Sequence, residues 1–391
     1  RSSVWKWVRQ ENCSSLCHLQ MACAAVATDP VRCLELREDT MLKTISKTAI
    51  AATFALSASA GFAQVNLTSN AAGAGTAGAL SATSLVENAA ERGIANIQMK
   101  DGQTGTKYIM ALAEGKIDLA SGPFILPFLM AKAAGPYSNL EKDVAKELGH
   151  SIAMLYPYTF SIFTLYAYDA KGVSGWDDLK GMKVLNGPPR GTAALNSRSL
   201  IQLFTGLKSE DDYDTVTVNW SQMPSAIIDG TVDAAVIPAM FPGPRVTQAS
   251  AAGSMTMHSM PKEKFEAPAT QKFLNKPGST PFVVPLADIK AAMGEGWTVV
   301  SEDDMFRGKA VPGGDLVNKS MDEELAYQLT KSHIENLDKI KAMAPFMATL
   351  NFGDVSEKAN GLCGANIVKF HPGAVRAWEE AGHMLPECSK P

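Results

Sequence analysis

Two stretches of this chain follow one local plan, and that repetition restricts the fold more than any other feature. Leu179 to Leu195 reads Leu-Lys-Gly-Met-Lys-Val-Leu-Asn-Gly-Pro-Pro-Arg-Gly-Thr-Ala-Ala-Leu. Met182 to Leu185 is short and apolar, as a buried strand should be. Asn186 to Gly191 neither extends a strand nor starts a helix cheaply, and Thr192 has the chemistry of an N-cap for a helix from Ala193. Val65 to Ser69, Asn70 to Gly78, and a helix from about Ala79 to Glu91 repeat the order of strand, small-residue loop and helix. Each loop leaves backbone N–H groups free at the positive end of a helix, which favours an anion by roughly 0.3–1 kcal/mol. Arg190, inside the second loop, would add a charge-assisted hydrogen bond of about 1.5–3 kcal/mol to such a ligand. Taken singly, either segment also reads as a plain strand-to-helix connection with Arg190 in solvent.

A second echo joins the first. Ile109 to Ala120 and Ser225 to Val236 both run from a helix end through a glycine, Gly115 or Gly230, into a strand containing Ile-Asp-Leu or Val-Asp-Ala. A glycine there supplies the left-handed residue on which helices stop. Both strands lead into loops, Ser121-Gly-Pro-Phe124 and Ile237 to Gly243. The chain therefore reads as two similar α/β lobes, each with two loops at the carboxyl ends of its strands. Ligands of open α/β sheets bind in that position, so the four loops would border a cleft. Tyr158 and Phe241 are added to the cleft as aromatic residues near the crossing between lobes. As phosphate or dinucleotide motifs the Gly loops fail, because no Lys-Ser/Thr follows them and no acidic residue is suitably placed.

The N-terminal region reads as an address. Met41 to Lys47 is basic, Thr48 to Ala60 is apolar, and Gly61-Phe62-Ala63 is a small-x-small cleavage site, which makes 41–63 an export signal and Gln64 the mature start. Residues 1–40 then read as an upstream segment ahead of the true initiator. Cys13, Cys17, His18, Cys23 and Cys33 match no paired zinc spacing. Cys363 and Cys388 survive processing; in an oxidising compartment they pair or stay as two buried thiols. Of the 391 residues, 46% are apolar and 19% charged, with a net charge of −4, which suits a globular chain and gives nucleic acid no basic surface to grip. The uncharged run Ser151 to Tyr168 contains Pro157 and several tyrosines, so it reads as two extended segments meeting at a bend, not as a membrane span.

Further along, Pro261, Pro268, Pro277, Pro281 and Pro285 suggest an irregular segment over 261–296. Asp322 to Ala342 has the periodicity of one amphipathic helix, and Pro372 opens a last helix in which His371 bonds the first turn. No nucleophile elbow, no Ser/His/Asp set at recognisable spacing and no metal-ligand cluster emerges, so no enzyme, metal or cofactor is expected.

Together these residues carry a resemblance. The export signal, Leu179-Lys-Gly-Met-Lys-Val with its loop, Asp229-Gly-Thr-Val-Asp-Ala234, Tyr327 in its Asp-Glu-Glu-Leu-Ala-Tyr helix and His371-Pro-Gly-Ala374 occur in the order seen in solute-binding proteins of TRAP transporters, TAXI type. The chain resembles that family from Val65 to Leu385. The resemblance implies a two-lobed α/β periplasmic-binding-protein type II fold with a ligand cleft between lobes. It implies a monomeric periplasmic receptor, not inserted in the membrane, for a small organic anion such as glutamate or a related carboxylate. Integral membrane TRAP permease subunits would be its partners. The alternative is an exported binding module that feeds a sensor. The lobes are expected at 64–157, 158–285 and, returning to the first, 286–391. Residues carried over by position are Gly73, Gly75 and Thr76, Gln103, Thr104, Gly105 and Thr106, and Gly187, Gly191 and Thr192. Asn70, Ser121 and Ala193 flank them. Where the family loop has serine this chain has Arg190, and Ala193 replaces an acidic residue, so Arg190 is the expected specificity determinant.

Overall fold

The computed structural model describes residues 65–391 except 190, 191, 220, 221, 295 and 358. The expected export signal, Gln64, Arg190 and Gly191 lie outside the described residues. The chain begins with β1 (Val65–Asn70), α1 (Ala77–Glu91), β2 (Ala95–Lys100), α2 (Gly105–Ala113) and β3 (Leu119–Pro123). After α3 (Ile125–Ala131) and α4 (Lys142–His150) comes β4 (Ile152–Tyr168). The second half of the plan follows as β5 (Lys183–Gly187), α5 (Thr192–Thr205), β6 (Asp214–Thr217), α6 (Met223–Ile228) and β7 (Ala234–Ala239). Then come α7 (Pro244–Ser250), β8 (Met255–His258), α8 (Lys262–Glu266), α9 (Pro268–Leu274) and β9 (Thr280–Pro285). The chain closes with α10 (Leu286–Met293), β10 (Trp297–Val300), β11 (Met305–Asn318), α11 (Glu323–Glu335), α12 (Leu337–Ala342), β12 (Lys369–Phe370) and α13 (Pro372–Glu380).

Strand pairing divides these elements into two lobes of one design. In the first, the order is β2-β1-β3-β11-β4, with β1 parallel to β2 and β3, and β11 antiparallel to β3 and β4. In the second it is β6-β5-β7-β4-β8, with β5 parallel to β6 and β7, and β4 antiparallel to β7 and β8. Each lobe thus sets its own three strands beside a long strand that also serves the other lobe. β10 pairs with β8 at the outer edge of the second lobe, and β9 flanks the first half of β11. The crossing strands can serve both lobes because they are almost wholly buried along both faces, β4 with no charged residue and β11 with Arg307, Lys309 and Asp315 enclosed in it. The fold is the two-lobed α/β arrangement expected from the echoes.

The repeated Asp has a structural reason. Asp118 accepts from the Thr68 backbone N–H at 2.8 Å, and its own N–H donates to Thr68 O at 3.1 Å. Asp233 does the same to Lys183, at 2.9 and 2.8 Å. In each lobe the aspartate clamps the strand that leads into the Gly loop.

Several expectations change. Ser151 to Tyr168 is not two segments: β4 runs unbroken through Pro157, and the irregularity appears as register shifts against β11 between Val311 and Pro312 and between Asp315 and Leu316. The helix expected over Asp322 to Ala342 is broken at Asn336, which leaves the helical conformation at φ −105° and donates from its side chain to Ser332 O at 2.7 Å. Residues 261–296 are regular, holding α8, α9, β9 and α10. Cys363 and Cys388 form a disulfide with Cα atoms 5.4 Å apart. Among the described residues no helix is long and apolar enough to cross a membrane.

Candidate ligand-binding site

A cleft of about 1050 Å³ lies between the lobes, with the crossing strands at its floor. Gly73 and Thr76 from the first loop, Gln103, Thr104 and Gly105 from the start of α2, and Thr192 and Ala193 from the start of α5 all line it. Thr76 caps α1 from an extended conformation: its Oγ1 accepts from Ala79 N–H at 3.3 Å and donates to Gly73 O at 2.8 Å. Thr192 is the first residue of α5. Three helices of eight residues or more therefore start at one space, and the positive ends of their dipoles favour negative charge there.

Other expected residues stand behind the wall. Asn70, buried at the end of β1, donates to Gln103 Oε1 at 3.3 Å and so orients a residue that does line the cleft. Gly75 takes a φ of +74° and turns the loop. Thr106 does not line the cleft, and its carbonyl accepts from Tyr137 Oη at 3.1 Å. Gly187 ends β5, its carbonyl bonded to Val218 N–H at 3.1 Å. Phe241 is fully buried, edge-on to Tyr166 and Phe306.

Ser121 and Tyr158 belong to a buried polar cluster instead of the cleft. Ser121 Oγ, Ser81 Oγ at 2.6 Å and Tyr158 Oη at 3.2 Å all donate to the Asp315 carboxylate. His333 Nε2 lies 2.9 Å from Ser81 Oγ and 3.4 Å from Asp315 Oδ2. Burial, and then the Asp315 charge, push the Tyr158 hydroxyl well above its ordinary pKa, so it stays a donor. The set contains serine, histidine and aspartate, yet Asp315 contacts Ser81 directly and every member is buried away from solvent. It lacks the serine–histidine–aspartate relay of a hydrolase and reads as a brace joining α1, β3, β4, β11 and α11.

The structure also brings in residues that the sequence reading missed. Phe160, Ser161 and Phe163 of β4, Val311 of β11, Asn196 of α5, Met240 after β7 and Lys276 after α9 line the cleft. Lys276 is the one formally charged side chain among the described lining residues. Its signal was present, a lysine before Pro277-Gly278, but it lay in a segment read as irregular. Asn186, at the end of β5, is fully buried and both polar atoms of its side chain lack a hydrogen-bond partner.

Comparison with known families decides the assignment. The profile of the NMT1-like family matches residues 75–382, which takes in the end of the first loop, the whole of the second, both crossing strands and the last helix. The chain belongs to the NMT1-like family. Solved structures similar to this NMT1-like chain include one from Bordetella bronchiseptica RB50, at 14% identity, covering 82% of this chain and 99% of that one, TM-score 0.47. Another is the periplasmic aliphatic sulphonate binding protein SsuA from Escherichia coli, at 16% identity, 73% and 78% coverage, TM-score 0.41. A third is a TRAP periplasmic solute binding protein from Shewanella oneidensis with bound succinate, at 8% identity, 73% and 81% coverage, TM-score 0.42. Comparison with curated proteins gives no match.

Proposed function

We propose that this NMT1-like chain is a periplasmic solute-binding receptor of the TRAP type, TAXI subtype. It captures a small organic anion, a carboxylate such as glutamate or a related acid, for an integral membrane permease driven by an ion gradient. The observation that carries the reading is the cleft: two equivalent strand–loop–helix units face each other across crossing strands that serve both lobes. Helix N-termini and Lys276 favour negative charge, and a space closed by two lobes strips water from the ligand without needing any group that reacts. Closure follows as a population shift, since a ligand held by both lobes binds the closed form better. In this reading Gly73, Thr76, Gln103, Thr104, Gly105, Thr192 and Ala193 contact the ligand, and Arg190 pairs with its charged group.

Mass spectrometry of ligand co-purified with the protein, followed by calorimetry against carboxylates and sulfonates, tests the reading. One anion bound per chain, recovered unchanged, is the expected result; turnover of the ligand, or no binding across the series, overturns it. Arg190→Ala is expected to weaken binding of that anion by about 1.5–3 kcal/mol. Unchanged affinity would remove Arg190 from the site.

A further inference from the structure

The floor of the cleft contains a charge that the cleft does not yet use. Phe163 pairs in register with Lys309, and Ser161 with Val311, across the antiparallel β4/β11 ladder. Residues two apart on a strand share a face, and directly opposed residues share it too, so these side chains form one quartet. Ser161, Phe163 and Val311 line the cleft. The fourth member, Lys309, is fully buried, with its Nζ 4.7 Å from the centre of the Phe163 ring and no hydrogen-bond partner. A buried ammonium held only by the face of an aromatic ring is poorly compensated. Burial brings its pKa down to about 7.

Among the described residues its surroundings offer no counter-ion. β4 and β9 carry no charged side chain. On β11 itself, the Arg307 guanidinium is bonded to Asp303, and Asp315 is held in the brace. On α8 and α9, whose Phe265 and Leu274 share an apolar cluster with Phe163, the charged residues Lys262, Glu263, Lys264, Glu266 and Lys272 are exposed, as is Lys276 beyond them.

We infer that Lys309 is a ligand-binding residue held in reserve: an organic anion on the cleft floor turns the Phe163 ring aside, meets the Lys309 amine, and the site takes up a proton as it binds. The proton comes from solvent and completes the ammonium; no covalent bond is made. The inference rests on the receptor reading and deepens it by making capture of a carboxylate or sulfonate proton-linked. The Phe163 ring is then a shutter, which gives a use to a lysine where the strand pattern calls for an apolar residue.

The test titrates succinate and ethanesulfonate, neither of which gains a proton near neutrality, into the protein by calorimetry in two buffers of different ionisation heat. At about pH 8.5, where free Lys309 is largely neutral, uptake approaching about one proton per bound anion is expected, falling toward zero at about pH 6. Lys309→Met should abolish the uptake and weaken binding roughly 10- to 100-fold, while unfolding at or above the wild-type temperature. Binding without proton uptake by the wild-type protein overturns the inference alone, and that measurement does not depend on the variant folding. Uptake that persists in Lys309→Met also overturns it alone. Failure of both anions, and of every other carboxylate and sulfonate in the series, to bind the wild-type protein removes the receptor reading and the inference together.

Discussion

Asp315 shows what a single residue does here that no local pattern reveals. It draws Ser81, Ser121, Tyr158 and His333 into one buried cluster, from positions as much as 234 residues away in the sequence. Ser121 was legible as a residue of the loop after a strand and Tyr158 as an aromatic near the crossing between lobes, but their partner was not, because alternation along one strand carries no information about a side chain arriving from another. Replacing Asp315 by Ala leaves three donors and a histidine buried without their acceptor and should destabilise the protein by roughly 3–5 kcal/mol, read from urea unfolding. A loss below about 1 kcal/mol would show that the cluster braces nothing. Lys309 sets the sign of a pH dependence. Its folded pKa of about 7 lies below that of an unfolded lysine, about 10.4, so between those values the unfolded chain binds more protons and stability rises with pH. Below about pH 7 both states hold the proton and the buried charge weighs fully against folding. Urea midpoints measured from about pH 7 to pH 9 should climb in the wild type and climb less in Lys309→Met.

At the scale of elements, the sequence was most readable where it repeats itself. The loops after β1 and β5 and the aspartates before β3 and β7 are local signals, and Asp118 and Asp233 turn out to make matching two-way bonds to Thr68 and Lys183. Burial raises the Asp233 carboxyl, but the bonds from Lys171 and the Lys183 backbone outweigh it and hold it below the ordinary range. Asp118→Ala and Asp233→Ala are each expected to lose about 1–2 kcal/mol of stability, and comparable losses in urea unfolding would mark them as equivalent clamps. Unequal effects would mean that the echo is only one of sequence. The stretch 261–296 failed for a physical reason: its prolines start helices as well as end them. Pro268 is the first residue of α9, while Pro261 and Pro285 stand one position before α8 and α10, where a missing N–H leaves no bond unmade. Lys276 and its neighbours were therefore hidden from the site, since a segment read as irregular offered no register from which to aim a side chain.

For the whole molecule, the lobes meet through direct contacts beside the cleft as well as through β4 and β11. Ala77 N–H of α1 approaches the Met240 sulfur at 3.2 Å, and a methyl built on Gly75 would stand 3.0 Å from Pro244 Cγ. Gly75→Ala combines that intrusion with a left-handed backbone at φ +74°, so it should disfavour the approach of the two lobes. Binding of the co-purified anion should weaken by about tenfold, with a larger radius of gyration in small-angle scattering; an unaltered radius and affinity would place the lobe contact outside the closing motion. The shared strands also govern the order in which the protein can be assembled. β11 inserts between β3 and β4, yet it is synthesised only after β5 through β10 have been made. During vectorial synthesis the first lobe therefore waits with an open seam while the second lobe is still being translated, and a chain arrested before Met305 presents two adhesive strand edges to any holdase nearby.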